Sequence, residues 1–150
     1  MAKILAIACD HAGVTYKKDL IANLTGKGYT CINLGTDTEE SVDYPIYADA
    51  VCKKVTSGEA DLGILICGTG IGVSIAANKV KGAYAACIHD VYQAQRAELS
   101  NHANIITMGS QVVGVELAKC MVKEYLSVTY DPNSRSAPKL ERIYEYEKNM

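Results

Sequence analysis

Apolar residues along this chain fall into short continuous runs separated by amphipathic stretches. Ile4-Leu5-Ala6-Ile7-Ala8-Cys9 reads as a buried strand, followed by a helix over 14–26 with Leu20, Ile21 and Leu24 on one face. A second strand runs from Tyr29 to Leu34 and is closed by Gly35. Pro45 suits the first turn of a helix carrying Ala48, Val51, Cys52 and Val55, which Gly58 ends. Leu62 to Cys67 is a third apolar run, with a short helix over 71–80 after it. Ala83 to Ile88 and a helix over 90–100 follow, then Ile105 to Met108 and a helix over 112–126 carrying Val115, Ala118, Met121, Val122 and Tyr125. Beyond a turn at Asp131-Pro132-Asn133, a last helix carries Leu140, Ile143 and Tyr144. The order is strand–helix five times, then a helix. Strands that are apolar throughout, with no polar alternation, belong to a parallel sheet covered on both faces.

Such a sheet places ligands beyond the carboxyl ends of its strands. Polar residues and glycines gather there: Cys9-Asp10-His11, Gly35-Thr36-Asp37, Cys67 to Gly72, His89-Asp90 and Gly109-Ser110.

Composition narrows the field. The 150 residues suit one domain spanning 1–150, able to bury roughly 70% of the surface of its unfolded chain. A 49% hydrophobic content excludes disorder, and a net charge of −2 argues against nucleic acid or an anionic membrane as partner. No apolar run approaches the ~20 residues of a membrane span. Met1-Ala2-Lys3-Ile4 leads straight into a strand without the pattern of a signal peptide, so a cytoplasmic location is expected. The six cysteines include no Cys-x-x-Cys pair, which leaves zinc ribbons and thioredoxin-type chemistry unsupported. At least four are expected to be small buried hydrophobes. With no Phe or Trp, a platform for a large apolar cofactor would rest on tyrosine or aliphatic side chains, so a small, polar, glycine-lined site is expected.

The strongest chemical signal is Cys67-Gly68-Thr69-Gly70-Ile71-Gly72, joining a buried strand to a helix. Glycine lets backbone approach a ligand closely, and successive N–H groups at a helix start attract anions. A cysteine beside them sits where thiol pKa values fall. The loop is not a Walker loop, since no Gly-Lys-Ser/Thr follows, and Val73 stands where a dinucleotide fingerprint has its third glycine. Asp10 and His11 could do acid–base work or hold a phosphate, or Asp10 could simply cap the next helix. Asp43 before Tyr44-Pro45 reads as an N-cap. Ser100-Asn101-His102 is a polar loop, and Arg135 and Lys139 share a helix face at i,i+4 spacing. A thiolate, a cradle of donors, a carboxylate and cations together suit metal-free proton abstraction next to a carbonyl. A non-catalytic phosphate- or nucleotide-binding domain fits the same pattern but needs no cysteine ahead of the glycines.

Over nearly its whole length the chain resembles the ribose-5-phosphate isomerase B family, which includes galactose-6-phosphate isomerase subunits and allose-6-phosphate isomerases. The resemblance rests on Cys9-Asp10-His11-Ala12-Gly13, Asp43-Tyr44-Pro45, Ile66 to Gly72, Ser74-Ile75-Ala76-Ala77-Asn78-Lys79, Asn101 and Gly109-Ser110 followed by Val112-Val113-Gly114. It implies a Rossmann-like three-layer α/β/α sandwich around a five-stranded parallel sheet, with a C-terminal helix. It implies Cys67 as the base, Gly68, Gly70, Ile71 and Gly72 as an anion hole, and Thr69 and Asp10 near the ring oxygen and reacting hydroxyls. His11 matches a phosphate-binding position, Tyr44 and Asn101 substrate contacts, and Arg135 a phosphate-binding arginine given by the partner subunit. No cofactor and no metal are implied. Active sites at the interface of a homodimer are, and two dimers could pair into a tetramer.

Three positions depart from the family pattern. Ser100 stands where the family has a ring-opening histidine, with His102 two residues on. Gln111 replaces an arginine, and Lys139 replaces a second tail arginine, keeping the charge but losing the fork. Ribose 5-phosphate is the expected substrate, with a six-carbon 6-phosphate sugar as the competitor.

Overall fold

The computed structural model describes residues 2–150. Strand β1 (Ile4–Cys9) runs through a 3₁₀ turn at His11–Gly13 into α1 (Val14–Gly26). Then come β2 (Thr30–Asn33), α2 (Tyr44–Thr56), β3 (Leu62–Cys67), α3 (Ile71–Ala77), β4 (Ala85–Cys87), α4 (Val91–Leu99), β5 (Ile105–Gly109), α5 (Val115–Ser127) and α6 (Ala137–Lys148). All five strands are parallel, in the order β2-β1-β3-β5-β4. The fold class is the expected one.

Both sheet faces are buried, which explains the unbroken apolar runs. Leu5, Ile7, Cys9, Leu62, Ile64 and Ile66 point to one side, where α1, α4 and α5 add Leu20, Leu24, Ala94, Ala97, Met121 and Tyr125. Ala6, Ala8, Leu65 and Cys67 point to the other, against Ala48, Val51, Cys52 and Val55 of α2 and Val73 and Ala77 of α3. The second side is lined by smaller residues, and α2 lies close to the sheet there. A Cβ on Gly63 would stand 2.6 Å from the Val51 side chain. Tyr125 is the largest fully buried side chain, and its hydroxyl donates to the carbonyl of Ala103.

Three expectations need correction. All six cysteines are free, but only Cys9, Cys52 and Cys67 are buried; Cys31 and Cys87 are half-buried and Cys120 is exposed. Cys31 and Cys87 lie on the two edge strands, where cover is thinner, and Cys120 faces outward from α5. The fourth strand is only three residues long, and Ala83 and Ile88 lie outside it. Asp43 precedes α2 but makes no side-chain cap bond, leaving Pro45 to favour the helix start.

Candidate active site

The chain leaves β1 toward β2 on one side and β3 lies on the other, so the sheet changes direction between β1 and β3. Such a switch point opens a crevice at the carboxyl ends. Cys9-Asp10 and Cys67-Gly68 end these two strands. Between them lies a cleft of about 490 Å³ lined by Asp10, Tyr44, Cys67, Gly68, Thr69, Ile71, Gly72 and Ile75.

Cys67 is 5% exposed, and its Sγ accepts the Gly70 N–H at 3.1 Å. Gly70 has φ +79°, which glycine adopts freely, and a Cβ there would lie 2.7 Å from the Met108 carbonyl carbon. Gly109, at the end of β5, meets Thr69 equally closely, with its Cβ position 2.5 Å from the Thr69 carbonyl carbon. Thr107 Oγ1 donates to the Gly70 carbonyl at 2.8 Å. The loop is therefore seated on the end of β5 and holds its shape. Two donors of the expected anion hole have partners inside the loop: Gly70 N–H points at the sulfur, and Ile71 N–H goes to Thr69 Oγ1 at 3.3 Å. Gly72 is the position that lets the Tyr44 ring close over the helix start, since a Cβ there would be 2.5 Å from Tyr44 Cζ.

Asp10 is 7% exposed. Its Oδ1 accepts the Ala12 N–H at 2.9 Å, so it caps the 3₁₀ turn and also lines the cleft. Burial pushes the Cys9 and Cys52 thiols each up to about 11. His11 borders an adjacent groove of about 400 Å³ with Ala12, Tyr16, Ser110 and Gln111. Its Nδ1 accepts the Val42 N–H at 3.2 Å.

The remaining expected residues gather elsewhere. Ser100, Asn101, Arg135 and Lys139 line one cleft of about 420 Å³ with Arg96, Ser136, Leu140 and Ile143. This cleft lies at the opposite edge of the sheet, because Ser100 and Asn101 precede β5 whereas Cys67 ends β3. Those strands pair from Gly63↔Ile105 to Cys67↔Gly109, four residue steps and hence about 13 Å. One chain does not bring the two clefts together. His102, at φ +46°, stacks on Tyr130 with ring centroids 4.3 Å apart and lines neither cleft.

Two residues were not singled out in the sequence. Lys17, 1% exposed, donates to Asn33 Oδ1, the Thr36 carbonyl and Asp37 Oδ1 at 2.6, 2.8 and 2.9 Å, tying α1 to the end of β2. Arg96 donates from Nε to Ser100 Oγ at 2.7 Å. Spacing could have found it, since Arg96 and Ser100 are one helical turn apart. Among the described residues, no three His, Cys, Asp or Glu side chains are grouped as a metal would need.

A family model described as Ribose/Galactose Isomerase matches residues 5–143. The chain belongs to the ribose/galactose isomerase family. The protein is thus an isomerase. Its relatives in this family include D-erythrulose-4-phosphate isomerase 2 of Mycolicibacterium smegmatis, 47% identical over 98% of this chain and 99% of that one. Ribose-5-phosphate isomerase B of Escherichia coli is 42% identical, covering 97% of each chain. Among solved structures of the family, ribose-5-phosphate isomerase B of Clostridium thermocellum superposes with a TM-score of 0.94 at 42% identity, covering 97% of this chain and 98% of that one. No described helix is long and apolar enough to cross a membrane.

Proposed function

We propose that this isomerase interconverts aldose and ketose phosphates by proton transfer through an enediolate, with Cys67 as the base. The observation that carries the reading is the Cys67 sulfur at the switch point, with the Gly70 N–H 3.1 Å away. A thiolate is the reacting form of cysteine, and this N–H offers a sulfur anion a partner.

In the aldose-to-ketose direction the C2–H bond of the open chain breaks and its proton goes to the Cys67 sulfur. The electron pair left behind forms a C1=C2 bond, and the C1 oxygen takes the negative charge. The sulfur returns the proton to C1, while the O2 hydroxyl proton passes to O1 and C2 becomes the carbonyl. Donors placed where that oxygen charge develops lower the barrier. In this loop the Gly70 and Ile71 N–H groups are held by Cys67 Sγ and Thr69 Oγ1, so Gly68 and Gly72 supply this lining, and Thr69 and Asp10 order the hydroxyls that exchange protons. Tyr44 covers the sugar.

The other half of the site is proposed to come from a second copy of the chain. Asn101, Arg135 and Lys139 would reach the Cys67 cleft across a homodimer interface, contacting substrate and phosphate together with His11. Two features support this: the two clefts lie at opposite sheet edges, and Ile71 and Ile75 beside Cys67 stand 55% and 59% exposed. A cover for those isoleucines would also close the cleft. Ribose 5-phosphate is the substrate expected from the resemblance. The relative named for D-erythrulose 4-phosphate makes a four-carbon phosphate the second reading.

Cys67→Ala tests the reaction. Turnover of both phosphates is expected to fall at least about 10³-fold, in the range of a lost general base, and exchange of solvent deuterium into C1 and C2 to stop. Unchanged turnover and exchange in a folded variant would remove Cys67 from the mechanism.

A further inference from the structure

Arg96 is bound to the hydroxyl of Ser100 and lines the same cleft as Arg135 and Lys139. Ser100 Oγ accepts from Arg96 Nε, so the serine proton and the terminal guanidinium N–H groups stay free to donate. Both can meet one anion, and a guanidinium does so with two parallel bonds. No carboxylate lines this cleft, and among the described residues none of its three cations is in an ion pair. Arg96 is half-buried, while Arg135 and Lys139 are exposed. It is the cation held most firmly in place.

A second observation concerns protons. The chain has three histidines, and none lines the Cys67 cleft or the Ser100 cleft. His11 lies in the adjacent groove with Nδ1 occupied, His102 stacks on Tyr130, and His89 is exposed beyond β4. Opening a furanose breaks the bond between C1 (C2 in a ketose) and the ring oxygen. One proton must reach the ring oxygen and another must leave the anomeric hydroxyl. Imidazole does both near neutral pH; a serine hydroxyl bound to a guanidinium does neither. A four-carbon aldose or ketose with phosphate on O4 has no free hydroxyl that can close a five-membered ring. It is open in solution and needs no such step.

We propose that Arg96, held by Ser100, is a substrate-binding and specificity-determining residue, and that the site it completes takes an open-chain four-carbon sugar 4-phosphate in preference to cyclic pentose and hexose phosphates. The proposal rests on the isomerase reading above and on the second copy that brings this cleft to Cys67.

The full-length chain, assayed with D-erythrose 4-phosphate and with ribose 5-phosphate, tests it. The four-carbon substrate is expected to have at least about 100-fold the higher kcat/KM. Arg96→Leu should raise KM for it about 10- to 100-fold with kcat nearly unchanged, as removal of a binding contact does, and Arg96→Lys should recover part of the loss. Ser100→His should raise turnover of ribose 5-phosphate, and not of erythrose 4-phosphate. Equal or better wild-type use of ribose 5-phosphate overturns the preference. An unchanged KM in a folded Arg96→Leu overturns the role of Arg96. Absence of Cys67-dependent turnover on either sugar is a different result: it overturns the isomerase mechanism itself, and this proposal with it.

Discussion

Lys17 shows how a single side chain sets up the ground beside the site. A buried ammonium persists only with partners, and this one has three oxygens from the end of β2 and the loop after it. Lys17→Met would remove these charge-assisted hydrogen bonds, a loss of about 1.5–3 kcal/mol, although the Thr36 carbonyl keeps Cys9 Sγ and Asn33 Oδ1 keeps the Gly35 N–H. The urea midpoint is expected to fall accordingly. The acid limb of stability should change as well. The hydrogen bond from Lys17, and after it that from Asn33, holds the Asp37 carboxyl below its ordinary value. A carboxylate depressed on folding adds stability above its unfolded pKa of about 4 and loses it as pH falls through the folded value. Wild-type protein should show that loss below about pH 4, and Lys17→Met a weaker one, in denaturation curves taken across the acid range. The periodicity of α1 contains this residue: positions 17, 20 and 24 fall on one inward stripe. A lysine there is the signal, and attention to the apolar members hides it. The same reasoning places Cys120 outside, because Ala118, Met121, Val122 and Tyr125 define the inner face of α5. Cys67 could be singled out as a candidate because the signal around it is local to six consecutive residues.

At the scale of elements, continuous apolar runs identified a doubly covered parallel sheet, and this needed no long-range information. The strand order was not legible in the same way. Which strand β5 pairs with depends on the crossovers, and β5 enters between β3 and β4. The edge strand β4 illustrates a device that the pattern hides. Asn78, at the end of α3, gives Nδ2–H to the Ala85 carbonyl at 2.9 Å and takes the Ala85 N–H on Oδ1 at 2.9 Å. Its side-chain amide thus mimics a neighbouring strand at the start of β4. Asn78→Ala leaves both backbone groups without that partner. A loss of about 1–3 kcal/mol is expected, with faster hydrogen exchange at Ala85 than at the central strand β3. Equal protection of Ala85 in variant and wild type would show that the Asn78 amide does not hold the start of β4.

For the whole molecule, the site residues divide into two sets by strand polarity. Asp10, Tyr44, Cys67 and Thr69 stand at the carboxyl edge, and Ser100, Asn101, Arg135 and Lys139 belong to the other end. The resemblance implied a shared site, while spacing along the chain could say nothing of it, because on the proposed reading the two sets meet only through symmetry. Mixing separates this reading from a one-chain site. Cys67→Ala and Arg135→Ala chains are each expected to be nearly inactive. After they are unfolded and refolded together in equal amounts, half the dimers carry one of each, and one of the two sites in such a dimer is whole. About a quarter of wild-type activity should return in a C2 dimer, measured against each variant refolded alone. No recovery, with mixed dimers demonstrated by mass, would place every catalytic group in one chain. The opposite placement of the two clefts has a consequence in solution. On the shared-site reading, turnover per chain is a measure of assembly: it should hold steady on dilution until subunits separate, then fall in direct proportion to chain concentration, with every chain still folded.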